Sequence, residues 1–193
     1  RALGHYMTTD TTPLEAAHTR PFDQQTEKLG WDAAAAMNYY QSCVFAHNAL
    51  LRFASPFRGK KILPSLFWGT FDMTTVLFSG VEKAFAGKGL IEKVAFSEQL
   101  IEFGYWPGDP ATDEPMFFVL AYPFVQEDLS GKTIKPEEAF YSHDKKEFFL
   151  PAAGLLQHEN PEETLQHFLK DSFRILTGTE NWPRLDWFTK PIF

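Results

Sequence analysis

The chain has 193 residues, 44% of them hydrophobic and 22% charged, a balance that fits one folded domain over 1–193 and excludes a disordered or fibrous chain. Its formal charge of −7, from 18 basic and 25 acidic side chains with no basic cluster longer than Lys60-Lys61 or Lys145-Lys146, gives no positive field for phosphates and argues against nucleic acid as a partner. A single cysteine, Cys43, excludes an intrachain disulfide or a multi-cysteine metal cage, and no run approaches a membrane span or a signal-peptide core, so the reading is soluble and cytoplasmic.

Arg1-Ala2-Leu3-Gly4-His5 opens without Met and reads as the interior of a longer chain. The Thr-rich stretch from Tyr6 to Pro21 suggests an extended segment, followed by loop through Gly30. Asp32 suits the N-cap of a helix from Ala33 to about Ala54, on which Met37, Tyr40, Val44, His47 and Leu51 recur at three- and four-residue steps and predict the buried face. Ser55-Pro56 ends it.

Residues 66–79 read as one long strand, bent or bulged at Gly69, with Phe67, Phe71, Met73 and Leu77 on one face and Trp68, Thr70, Asp72, Thr74 and Val76 on the other. Residues 91–103 have mixed periodicity and read as a helix closed by Gly104, ahead of the turn at Tyr105-Trp106-Pro107-Gly108. The nearly continuous apolar run 116–124 predicts a central strand buried on both faces, and 139–142 with 147–150 predict a hairpin around a polar four-residue turn. Asn160-Pro161-Glu162-Glu163 is the clearest helix start, with Leu165, Phe168, Leu169, Ser172, Phe173 and Leu176 as packing face up to Gly178. The aromatic tail 180–193 is expected to dock on the domain. Together these predict an α+β fold: an antiparallel sheet of about four or five strands with two main helices packed on one face.

Six histidines are present, none in a His-Glu-x-x-His arrangement, and no metal or cofactor is expected. Cys43 and His47 share a helix face, which could suggest a thiolate–imidazole pair or two ligands, but a small buried thiol beside a satisfied core histidine is the better reading. No Gly-x-Ser-x-Gly occurs, and Gly87-Lys88-Gly89 lacks the Ser or Thr and the leading strand of a phosphate loop. The stronger signal is alternation at 67–74, which sets Trp68, Thr70 and Asp72 on one strand face. An aromatic beside a carboxylate and hydroxyls suits stacking plus hydrogen bonding, and partial burial would raise Asp72 towards a useful acid–base range. The plain alternative is a solvent-facing strand surface. Tyr105 and Trp106 sit before a rigid turn, as pocket mouth or as plug over a sheet end, and Tyr122 and Tyr141 add hydroxyls to the same cavity if their faces agree.

Several blocks in order resemble a bacterial domain-of-unknown-function family, number 5996: Leu66-Phe67-Trp68-Gly69-Thr70-Phe71-Asp72 with Phe78-Ser79-Gly80, then Gly104-Tyr105-Trp106-Pro107-Gly108, Ala121-Tyr122-Pro123, Ala139-Phe140-Tyr141-Ser142, and Glu147-Phe148-Phe149-Leu150-Pro151. They span about Phe22 to Ser172. The resemblance implies members near 300 residues, with this chain similar to their C-terminal half, a related N-terminal half as a duplication packed face to face, and a lone half that exposes apolar surface and dimerises. Members often carry His-Glu where this chain has Ser97-Glu98, so only Glu98 carries over. No activity, substrate or cofactor comes with the family.

Two functions of different class follow. One is a small-molecule site, enzymatic or merely binding, with Asp72 and Glu98 as catalytic candidates and Trp68, Thr70, Tyr105, Trp106, Tyr122 and Tyr141 as ligand-binding candidates. The other is a protein-interaction or scaffold domain, with those aromatics as core and the acidic surface meeting a partner, either the N-terminal half or a second copy.

Overall fold

A computed structural model describes residues 11–12, 20–28, 30–67, 69–87, 90–109, 112 and 114–191; the expected extended segment from Tyr6 to Pro21 lies largely outside them. After a short 3-10 turn at Phe22–Gln24, helix α1 spans Ala33–Ala54, started by Asp32, whose carboxylate accepts from the N–H groups of Ala34 and Ala35 at 2.8 and 3.1 Å. The helix is where expected, but its inward face is not. Cys43, Ala46, Ala49, Leu50 and Ala54 are buried, whereas Met37, Tyr40 and Val44 are 54%, 62% and 42% exposed. Small side chains let the helix axis approach the sheet closely, and apolar spacing alone does not say which of two apolar seams the sheet takes.

The expected single strand at 66–79 is a hairpin, β1 (Lys61–Phe67) and β2 (Asp72–Glu82), with Phe67 opposite Asp72 and Lys61 opposite Leu77. The expected bend at Gly69 is a full reversal, completed by Phe71 at φ 61°. The expected helix at 91–103 is corrected as well: α2 is only Leu90–Ala95, and Glu98–Trp106 is strand β3. Pairing with β2 on one side and β4 (Met116–Tyr122) on the other satisfies its backbone, which outweighs the mixed local pattern. Gly104, read as a helix stop, is mid-strand.

Strand β4 is central as expected, and β5 (Phe140–Ser142) with β6 (Glu147–Pro151) forms the expected hairpin. All six strands are antiparallel, in the order β1-β2-β3-β4-β6-β5. A short α3 (Ala152–Leu155) leads to α4 (Pro161–Thr179), whose Asn160 cap accepts from Glu163 N–H at 3.2 Å.

Helices α1 and α4 cover one sheet face. There Phe103, Phe117 and Phe148, from three adjacent strands, meet Leu50 and Phe168, all at 2% exposure or less. Gln166 ties the helices together by donating to the Ala49 carbonyl at 2.8 Å. The tail docks through Trp182 and Phe188, whose rings lie 6.3 and 5.1 Å from that of Phe57; Phe188 belongs to the last short helix, α5 (Leu185–Phe188). Among the described residues, the opposite sheet face is covered at one end, where Phe85 and Phe96 pack on Val76, Phe78, Leu100 and Tyr122. No helix among the described residues is long and apolar enough to cross a membrane.

Candidate functional site

The uncovered end of that second face is built by register. Across β2, β3, β4 and β6, Thr74, Gly104, Phe118 and Phe149 form one row, and Val76, Glu102, Leu120 and Glu147 form the next. Alternation sends both rows away from the helices. At Gly104 a Cβ would lie 2.4 Å from the Phe118 ring and 2.8 Å from Thr74 Oγ1, so glycine is what lets the ring lie across β3. The result is a depression of about 180 Å³, floored by Phe118, Leu120 and Phe149 and ringed by Asp72, Glu102, Glu147, Trp106 and Lys145.

Asp72 enters it from the first position of β2. Thr70 Oγ1 donates to its Oδ2 at 2.7 Å, and the turn between them is held from α1 by Tyr39, whose hydroxyl donates to the Phe71 carbonyl at 2.6 Å. A phenylalanine at positive φ costs on the order of 1–3 kcal/mol, and such strain gathers where a side chain must be aimed. Beneath this rim, Thr74 Oγ1 is fully buried with no hydrogen-bond partner among the described residues. From the β5–β6 turn, Lys145 places its ammonium 5.1 Å from the centre of the Trp106 ring, a cation–π contact made inside an acidic ring.

Among the described residues, Glu147 is the most perturbed carboxyl. Burial raises it to about 7 and the Asp72 charge adds to the rise, while the Lys145 ammonium opposes it. A carboxyl in that range is present in both protonation states at neutral pH and can therefore give or take a proton. Among the described residues no group of three or more His, Cys, Asp or Glu is placed to hold a metal ion.

Of the residues singled out in the sequence, the structure brings Asp72, Thr70 and Trp106 together here. Trp68 lies outside the described residues. Glu98 is at the far end of β3, paired with Lys60 at 2.8 Å and accepting from Gly80 N–H at 2.9 Å, where β2 breaks register. Tyr105 points to the opposite face and is buried against Phe117. Tyr122 shares the open face but sits in its covered end, donating to the Ala84 carbonyl at 2.8 Å, and Tyr141 packs against Phe148 on the helix side. The faces of Tyr122 and Tyr141 do not agree, so they share no cavity. Cys43 is buried in the core and His47 turns to Asn48 at 3.3 Å.

Glu102, Glu147 and Lys145 were not singled out. The alternation Glu147-Phe148-Phe149-Leu150 already placed Glu147 and Phe149 on one face. Glu102 was hidden by the helical reading of β3.

Two other hollows differ in kind. One of about 420 Å³ runs along the end of α4, lined by Glu127, Lys132 and Arg174; it is larger, but Lys132 and Glu127 pair at 3.2 Å on the surface and no buried polar group faces it. Another, about 240 Å³, lies between α1, α3 and the sheet and is apolar apart from Tyr105, Ser42 and Gln41. Of these three hollows among the described residues, the depression on the open face is the one that joins ionisable groups from several strands.

A family model described as a family of unknown function, DUF5996, matches residues 1–187. The match takes in nearly the whole chain and is wider than the span of about 22–172 that carries the quoted blocks, so placing the chain in a C-terminal half is off in that detail. No curated protein and no solved structure matches the chain.

Proposed function

The chain belongs to this family of unknown function, DUF5996, and from its site we propose that it binds a small cationic molecule in the depression at Asp72, Trp106 and Glu147. One observation carries the reading: carboxyls from β2, β3 and β6 converge with an indole ring on one hollow, and the chain's own Lys145 ammonium already rests on that ring. An ammonium on the indole face with carboxylates around it gains cation–π and charge-assisted contacts together. A volume of about 180 Å³ suits a compact amine better than a drug-sized ligand. Glu147, raised to about 7, gives the site a group able to exchange a proton with such a ligand, whether the outcome is binding alone or a reaction.

The test is thermal unfolding of the full chain with ethanolamine, putrescine and glycerol as probes. A ligand that binds only the folded state stabilises it, by about 2.7 kcal/mol at a hundredfold excess over Kd. The amines are expected to raise Tm for the parent chain and to lose that effect in Asp72→Asn and Trp106→Ala. An equal response in parent and variants, or none to either amine, would refute the reading.

A further inference from the structure

Among the described residues, the outer face of α1 belongs neither to that site nor to the buried core, although His47 and Leu51 near its end are half-buried. Between Ala33 and Leu51 the helix carries no charged side chain, in a chain that is 22% charged. Along it Ala33, Met37, Tyr40, Val44, His47 and Leu51 recur at alternating four- and three-residue steps, the spacing of a helix–helix seam. Met37, Tyr40 and Val44 are 54%, 62% and 42% exposed, although the same helix already buries Cys43, Ala46 and Leu50 against the sheet. The seam is thus a second apolar face. Depletion of charge on an exposed apolar stripe marks the middle of an interface rather than a solvated surface.

We propose that this face pairs with α1 of a second copy of the chain, antiparallel across a two-fold axis near Ser42. Charge is the first argument for that occupant. Copies with a net charge of −7 repel over most of their surface, and on this face neutral meets neutral, with Asn38, Gln41 and Asn48 beside the seam offering no charge for an oppositely charged partner to read. Size is the second. The steps are symmetric about Ser42, so an antiparallel pair sets Tyr40 against Val44, Met37 against His47 and Leu51 against Ala33. Tyr40 then meets the smaller Val44 and Leu51 the smaller Ala33, with Met37 and His47 matched in size, whereas a parallel pair would crowd Tyr40 on Tyr40 and leave a gap at Ala33. Area sets the strength. A helix of 22 residues is about 33 Å long, and one such helix per side buries an area at the low end for stable complexes. The dimer is therefore reversible and depends on concentration.

Sedimentation velocity of the full chain over a concentration series tests it. The parent is expected to pass from monomer to dimer, and Val44→Glu, at an exposed position that leaves circular dichroism unchanged, to weaken association at least about tenfold because the two-fold axis introduces the charge twice. In a Cys43→Ala background, air oxidation of mixed Tyr40→Cys and Val44→Cys chains should join unlike chains in preference to like ones. A parent that stays monomeric throughout, a dimer indifferent to Val44→Glu, or cross-links between like chains would each overturn the proposal.

Discussion

The two faces of the sheet come from the same strands and carry opposite chemistry. Towards the helices, β3, β4 and β6 present Ile101, Phe103, Phe117, Val119, Phe148 and Leu150, at 2% exposure or less and with no carboxyl among them. Towards the open side the alternate positions present Glu102, Leu120, Glu147 and Phe149. Period-two alternation lets one set of strands serve as core and as platform, and the closed face holds the open one rigid. Stability should therefore reside mainly on the helix side, and pH sensitivity on the other.

Truncation inside the closed face should have the largest effect. Phe103 is fully buried, 4.7 Å from the Phe53 ring and 6.4 Å from that of Phe173, so Phe103→Ala should cost about 3–5 kcal/mol in urea unfolding. Phe149 is also buried, at 4% exposure beside the Phe140 ring, but it borders the hollow, where water can enter the space it leaves, so Phe149→Ala should cost less than Phe103→Ala. Equal losses would mean that both faces carry the core.

Glu147→Gln probes the open face with the opposite sign. In the unfolded chain this carboxyl titrates near its ordinary 4.5, and in the folded chain near 7. Below 4.5 both states are protonated and the group costs nothing. As pH rises from 4.5 to 7 the unfolded chain releases its proton first, so stability falls, and above 7 the loss is complete. Removing the charge should thus stabilise the protein at pH 8, by roughly 2–3 kcal/mol after allowance for solvent screening, and leave it unchanged near pH 4. Parallel stability–pH curves for parent and variant would remove Glu147 from the acid–base reading.

Gly104→Ala joins the two tests. Its Cβ would fall 2.4 Å from the Phe118 ring, so the ring must move, at a cost of about 1–3 kcal/mol. Displacement of that ring should also reshape the hollow and weaken amine binding. A neutral substitution with binding intact would show that the depression does not depend on the Phe118 position.

Local signals were legible and pairing was not. Asp32, Asn160 and the 143–146 turn each declare an element within a few residues, and the structure places α1, α4 and the β5–β6 hairpin accordingly. Alternation along a supposed single strand groups Thr70 with Asp72, whereas the structure joins them across the β1–β2 reversal by one hydrogen bond. Strand β3 was not legible, because Glu98 and Glu102 interrupt its apolar residues as an amphipathic helix would, and only β2 and β4 on either side decide between the two. Glu102 and Glu147 reach one hollow through the order β3-β4-β6, which no local pattern encodes. The inward face of α1 was misread because the larger apolar residues form one seam and the small ones that pack on the sheet form another.

The smallest expected effect separates the two ends of the open face. Tyr122 faces the same side as Glu102 but lies under Phe96 and Phe85, at ring distances of 5.0 and 6.0 Å, with its hydroxyl donating to the Ala84 carbonyl. Tyr122→Phe keeps the ring and removes one hydrogen bond, leaving a carbonyl that neighbouring water can reach only in part, so the loss should be about 1 kcal/mol. Amine binding should not change, because a residue of the covered end touches none of the groups around Asp72. Were binding to fall with Tyr122→Phe while stability held, the site would extend beneath Phe96, and the division between a packed end and an open end would have to be redrawn around that hydroxyl.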